Sequence, residues 1–229
     1  MSAPIANPAG VPAAQGNPLQ AVIEDAIVRH ELGKASPYAL SFALLGGSGA
    51  SFGRFQGDTA KSPLARATLA AILSRNHVDG ADSDRILALL ERPCPHGDPL
   101  APDDSKLVAD ALDSVAGQAA VDAMDAQLLQ QVLAELQTSI DAGVAAARPC
   151  ADIAQLYIAM WINMTGAPDT LNRWIRGAAF NGVASPTGAI GEAEISTYLH
   201  ATRFFTQYPS NFPNMQQSAR AAMAARATN

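Results

Sequence analysis

Two stretches decide how this 229-residue chain folds: His30-Glu31-Leu32-Gly33-Lys34-Ala35-Ser36-Pro37-Tyr38, and Ser48-Gly49-Ala50-Ser51-Phe52-Gly53-Arg54-Phe55-Gln56-Gly57-Asp58. Ahead of the first, Leu19, Val22, Ile23, Ala26 and Ile27 recur at three- and four-residue steps, the spacing of a helix with one apolar face. Gly33 follows as its C-terminal stop. The period then changes to two. Leu40, Phe42 and Leu44 alternate ahead of a Gly46-Gly47-Ser48-Gly49 turn, which predicts a short β-hairpin or an ordered glycine-rich loop. Nowhere else in the chain is a strand expected.

Helical spacing resumes and dominates. Ser62-Pro63 opens a helix to about Asn76, Asp82 caps another to about Glu91, and Asp103 or Asp104 opens a third after the proline-rich loop 92–102. Val121, Met124, Leu128, Val132, Leu136, Ile140 and Val144 predict a helix of more than about six turns, long enough to be the buried axis of the domain. Further helices are expected after Pro149, near 170–176, over 192–206 and over 211–226. The fold class is therefore mainly α, with a small β-hairpin after the first helix and a long central helix. Residues 1–17, rich in Ala, Pro and Gly, read as a flexible lead, and 18–229 as a single domain.

Composition narrows the function. Lys and Arg number 15 against 21 Asp and Glu, a net charge of -6, and only 16% of residues are charged. An acidic chain with scattered cations lacks the concentrated basic face that nucleic acid or an anionic membrane requires. No apolar run approaches the length of a membrane span. The opening residues have neither a basic nor a long apolar region, so no ordinary secretory signal is expected. Cys94 and Cys150 make no zinc motif, and one disulfide between them would require an oxidising compartment. Lys34 stands where a zinc-protease helix would place its second histidine after His30-Glu31. No metal or cofactor is expected.

Glu31 carries the chemical signal. It lies in the last turn of the first helix beside an apolar stripe, where the helix dipole and partial burial both disfavour a carboxylate. A carboxylic acid kept protonated near neutral pH is what protonation of a glycosidic oxygen needs. The glycine hairpin that follows supplies a cleft wall to which a substrate can approach closely.

The helix ending in Glu31, the glycine-containing β element and Gly49-Ala50-Ser51-Phe52-Gly53-Arg54-Phe55-Gln56 together resemble the lysozyme superfamily of phage lysozymes, lytic transglycosylases and related chitosanases. The resemblance is specific only over 31–58. Leu32-Gly33 replaces the serine and glycine that transglycosylases place after the glutamate, and the interval from Glu31 to Gln56 is longer than theirs. The resemblance implies a lysozyme-like fold and a peptidoglycan-cleaving glycosidase, cutting β-1,4 bonds with Glu31 as general acid. Asp58 is the candidate second carboxylate, or else a helix cap. Ser51 and Gln56 on the hairpin, with Asn163 and Tyr198 on later helices, are candidates for substrate binding. Other aromatics at helical spacing are expected to pack. Arg54 and Lys34 would supply local cleft charge.

Such an enzyme, an endolysin or antibacterial effector, would be made in the cytoplasm and carried to the wall by a holin or secretion machine. An immunity or delivery protein would be its partner. A chitosanase-like hydrolase fits the acidic balance as an alternative, and a non-catalytic helical scaffold that binds a partner is the alternative of a different class.

Overall fold

α1 (Gln20–Glu31) buries Ile23, Ala26 and Ile27 on one face, as its spacing predicts. It stops at Leu32, and Gly33 takes a φ of +55° that favours glycine. The computed structural model describes residues 17–44, 47–166 and 169–228. Nearly all of the lead expected over 1–17, and Gly46 of the glycine turn, fall outside these.

The β element has three strands, not the two of a hairpin. β1 (Ser41–Phe42), β2 (Ala50–Phe52) and β3 (Gly57–Asp58) form one antiparallel sheet in the order β1-β2-β3. Ser41 pairs with Ser51 and Ser51 with Asp58, while Phe42 lies opposite Ala50 and Phe52 opposite Gly57. Polar and apolar residues thereby sort to opposite faces. The extra strand arises because Gly53 (φ +84°) and Gln56 (φ +52°) reverse the chain within four residues. Alternation of side chains gives no sign of that reversal.

α2 (Pro63–Arg75) is capped by Ser62, whose hydroxyl accepts from Ala65 N–H at 3.1 Å. α3 (Gly80–Leu90) is capped by Asp79, not the expected Asp82, which sits in the first turn and pairs with Arg85. α4 (Pro102–Asp113) starts at its proline, and Asp104 turns inward to the Arg85 guanidinium. Only Ser114 separates it from α5 (Val115–Ala145), a helix of 31 residues. α6 (Asp152–Thr165) and α7 (Asp169–Ile175) follow. The helix expected over 192–206 is two, α8 (Glu192–His200) and α9 (Arg203–Gln207). Thr202 divides them by donating to Leu199 O at 2.6 Å while capping Phe205 N–H. α10 (Asn211–Ala227) closes the chain against α1. No helix among the described residues is long and apolar enough to cross a membrane.

Two apolar cores form along α5. One collects Phe52, Leu69, Leu73, Ile86, Leu90, Val108, Leu112 and Met124, from the sheet, α2, α3, α4 and the first half of α5. The other joins α1, the second half of α5 and α6 through α10 around Tyr157, Met160, Trp174 and Tyr198. Phe52 belongs to the first core and Phe55 to the second, so the turn 53–56 crosses from one to the other.

The apolar row read along α5 holds at its start and fails at its end. Each four-residue step advances the helix by about 400°, so the row drifts by about 200° between Met124 and Val144. Val144 is accordingly 65% exposed, while the buried face passes through Leu129, Ser139, Ala142 and Gly143.

The α4–α5 corner yields a prediction in which two effects oppose. Alanine outranks glycine in a helix by about 1 kcal/mol. A Cβ at Gly117, however, would lie 2.1 Å from Ala111 O and 2.7 Å from Leu112 O, both backbone atoms that cannot swing away. Gly117→Ala is therefore expected to destabilise the protein by about 2 kcal/mol. Urea denaturation gives the sign directly, and a stabilised variant would contradict the packing of this corner.

Candidate functional site

Glu31 and Asn163 meet across the molecule. The last turn of α1 presents the carboxyl, and the last turn of α6 presents the amide, whose Nδ2 donates to Glu31 Oε1 at 2.8 Å. The same nitrogen reaches Phe55 O at 3.4 Å. Three elements, α1, α6 and the turn that crosses between the two cores, thus meet at one amide.

Burial raises the Glu31 carboxyl from its ordinary 4.5 to about 7, and the hydrogen bond from Asn163 pulls modestly the other way. His30, its neighbour, is lowered by burial to about 4 and stays neutral, so it brings no cation to help ionise Glu31. With Oε1 held by Asn163, the second oxygen is left to carry the proton. A carboxyl in this state is equipped to donate near neutral pH and to take a proton back once ionised.

The hairpin candidates are gathered together, and most are already engaged. Ser51 is 8% exposed and lies in register between Ser41 and Asp58 on the polar face of the sheet. Gln56 accepts from Ser41 Oγ and donates through Nε2 to Gly53 O at 3.0 Å, so its side chain shapes the turn. Asp58 accepts from Gly49 N–H at 3.0 Å and Ala60 N–H at 2.8 Å through one oxygen, while the other faces Lys61 at 3.4 Å. It is neither the cap of α2, which is Ser62, nor a partner of Glu31. Its job is to tie β3 to the loop before β2.

Tyr198 is placed elsewhere. Its ring is 0% exposed between Trp174 and Phe180, with centroids 4.9 and 4.7 Å away, and its hydroxyl meets Thr170 at 3.0 Å. A ring so enclosed offers no face to a sugar, which corrects its nomination as a binding residue. Trp161 and Phe205 pack edge or tilt against neighbouring rings, as expected of aromatics at helical spacing.

Arg54, expected as cleft charge, is shared between Glu24 on α1 and Asp122 on α5, at 3.1 Å from each. Tyr38 adds a hydrogen bond to Asp122 at 3.0 Å. The guanidinium therefore clamps the turn 53–56 between two helices. Lys34 remains exposed.

Sequence reasoning missed Asp125. This residue on α5 is 3% exposed, and its carboxylate accepts from Arg54 N–H at 2.8 Å and Phe55 N–H at 3.4 Å. Burial raises it to about 6 against those two bonds and the nearby guanidinium. Its signal was present: it lies four residues after Val121 and four before Leu129, a charged residue within a buried helix face. Cys94 and Cys150 are both buried and free. Among the described residues, no group of three or more His, Cys, Asp or Glu could hold a metal ion.

The raised Glu31 carboxyl makes stability depend on pH with a definite sign. Below pH 4.5 the group is protonated in both folded and unfolded chains. Between 4.5 and about 7 the unfolded chain ionises first, so stability is lost as pH rises through that window. Gln keeps an acceptor for Asn163 and cannot ionise. Glu31→Gln should therefore match wild type at pH 4 and exceed it by up to about 3 kcal/mol at pH 8. Denaturant titrations at the two pH values test this, and equal stability at both would mean a well-solvated Glu31.

No family model, curated protein or solved structure matches the chain.

Proposed function

We propose that this protein is a peptidoglycan-cleaving glycosidase of lysozyme-like type, with Glu31 as its general acid. The observation that carries the reading is the state of that carboxyl: partly buried, raised to about 7, and held through one oxygen by Asn163. The glycine-containing sheet beside the helix end supports the same reading, as does the likeness of 31–58 to the lysozyme superfamily.

In this mechanism the free oxygen of Glu31 delivers its proton to the glycosidic oxygen of a β-1,4 bond as the C1–O bond breaks. Positive charge develops at the anomeric carbon. The Glu31 carboxylate so formed then takes a proton from the nucleophile that closes on C1. Asp58 is engaged by two backbone N–H groups and Lys61, and Asp125 by two backbone N–H groups. A single working carboxyl favours an internal nucleophile, the C6 hydroxyl of the same sugar, over a water that a second carboxylate would activate. The product is then an anhydro sugar, as from a lytic transglycosylase. Asn163 holds the Glu31 carboxyl, and Gln56 shapes the turn whose Phe55 carbonyl meets that amide.

A second reading has its own support. Residues 79–125 hold eleven of the 21 acidic residues and three of the 15 basic ones. The rest of the chain is slightly basic. A lobe of that charge would attract a polycationic glycan, and chitosan is the substrate that tests it.

Purified peptidoglycan digested by wild type should release soluble products with anhydro ends, read by mass spectrometry. Glu31→Gln should lower the rate by about 100-fold or more. Because the acid must be protonated, wild-type turnover should fall as pH rises through about 7. Reducing ends instead of anhydro ends would assign hydrolysis. Cleavage of chitosan alone would favour the second reading, and no release from either glycan would end the glycosidase reading.

A further inference from the structure

Phe55 lies between two polar side chains from different helices. Its N–H donates to Asp125 Oδ1 on α5 at 3.4 Å. Its carbonyl accepts from Asn163 Nδ2 on α6 at 3.4 Å, and that amide is the one that donates to Glu31. One peptide segment thus links a buried carboxylate in the middle of the central helix to the carboxyl at the end of α1.

We propose that Asp125 is the positioning residue of this site: by seating the turn 53–56 it fixes the Phe55 carbonyl, and through that carbonyl the Asn163 amide that orients Glu31. The role in catalysis rests on the reading of Glu31 as an acid, whereas the positioning itself does not.

The turn sits directly on the carboxylate. A Cβ at Gly53 would lie 2.5 Å from Asp125 Oδ1, and Gly53 holds a φ of +84°, so only glycine permits this approach. Both oxygens of Asp125 are used, one on Arg54 N–H and one on Phe55 N–H. An ionised carboxylate is the one small side chain that accepts two adjacent N–H groups, since an amide would turn an NH2 toward one of them. The other hold on the turn is weaker. The Arg54 guanidinium pairs with Glu24 and Asp122 through side chains about a third or more exposed, where water screens the attraction.

The charged groups that face Asp125 are Arg54 from the turn and Asp122 from its own helix. Glu24 on α1 is coupled to it through Arg54. When Asp125 takes a proton, one oxygen stops accepting and one N–H loses its partner. The Phe55 carbonyl and the Asn163 amide then lose their fixed seat.

The test reads Glu31 itself and needs no substrate. Protein labelled with carbon-13 at glutamate side chains gives the Glu31 carboxyl titration, assigned by its absence from Glu31→Gln. Asn163→Leu removes the donor and should raise the Glu31 midpoint. Asp125→Asn should raise it in the same direction by about half a pH unit or more, and this effect should vanish in the Asn163→Leu background, because both act through one amide. Asp141→Asn, an exposed carboxylate on the same helix, should leave it unmoved. A Glu31 midpoint unchanged or lowered by Asp125→Asn, or a shift that persists undiminished without Asn163, would overturn the proposal.

Wild type alone supplies a second measurement, should Asp125→Asn fail to fold. The Asn163 side-chain amide resonances should move with the titration of Asp125 as well as that of Glu31. If they follow Glu31 alone, Asp125 is only a brace for the turn. A protein that shows these couplings but releases no product from any glycan would overturn the glycosidase reading and leave the positioning role standing.

Discussion

One helix serves two cores, and the rest of the architecture follows from that constraint. α5 has 31 residues, about 46 Å at 1.5 Å per residue, too long for one small core to cover. Its first half is wrapped by α2, α3, α4 and the sheet, and its second half by α6, α7 and their neighbours. A straight α-helix cannot keep one residue row facing two partners over that length, because the row rotates about the axis. The buried face of α5 therefore changes identity along the chain. Large apolar side chains give way to Ser139, Ala142 and Gly143 where α7 and the 148–150 segment press close. Ser139 donates to Asn172 Oδ1 at 2.7 Å, satisfying both groups in a dry interface.

Where two cores meet, something polar must be accommodated, since the chain crossing the seam brings unpaired backbone groups with it. The turn 53–56 does this crossing. Asp125 takes two of its N–H groups, and Asn163 meets a carbonyl. Glu31 and Asp125 are both carboxyls whose charged forms are penalised by burial, yet their surroundings differ. Asp125 receives two backbone N–H bonds and a nearby guanidinium, and rises only to about 6. Glu31 receives one neutral amide beside a neutral histidine, and rises to about 7. Burial raises both carboxyls, and the larger number of donors around Asp125 offsets more of that rise.

Much of the fold was legible because it depends on local chemistry. The Leu19 to Ile27 spacing, the Gly33 stop and the Ser62-Pro63 start each state their element within a few residues. Asp79 was overlooked as a cap because Asp82 is equally good by type. Only the geometry, with Asp79 accepting from Ala81 N–H, distinguishes them. The third strand was hidden for a different reason. Gln56 adopts a φ of +52° because its side chain is tied to Ser41 and Gly53, a tertiary arrangement that residue type does not announce. Glu31 was legible as a helix-end carboxyl, but its partner Asn163 lies 132 residues away and only the packing of α6 on α1 joins them. Tyr198 shows the converse. An aromatic with a hydroxyl looks equally suited to a sugar or a core, and the enclosure by Trp174 and Phe180 decides for the core.

The siting of Glu31 also follows from this seam. Within either core, a carboxyl would be as enclosed as Asp125, with 3% of its surface exposed and no path to a ligand. On an open face it would be solvated and ionised near its ordinary value. At the end of α1 it is partly exposed, held by Asn163 of α6, whose amide also meets Phe55 O of the turn that crosses between the cores. Desolvation there lifts its affinity for a proton, and Asn163 holds only one of its two oxygens. The turn that crosses between the two cores along α5 thereby also reaches the amide that holds this carboxyl.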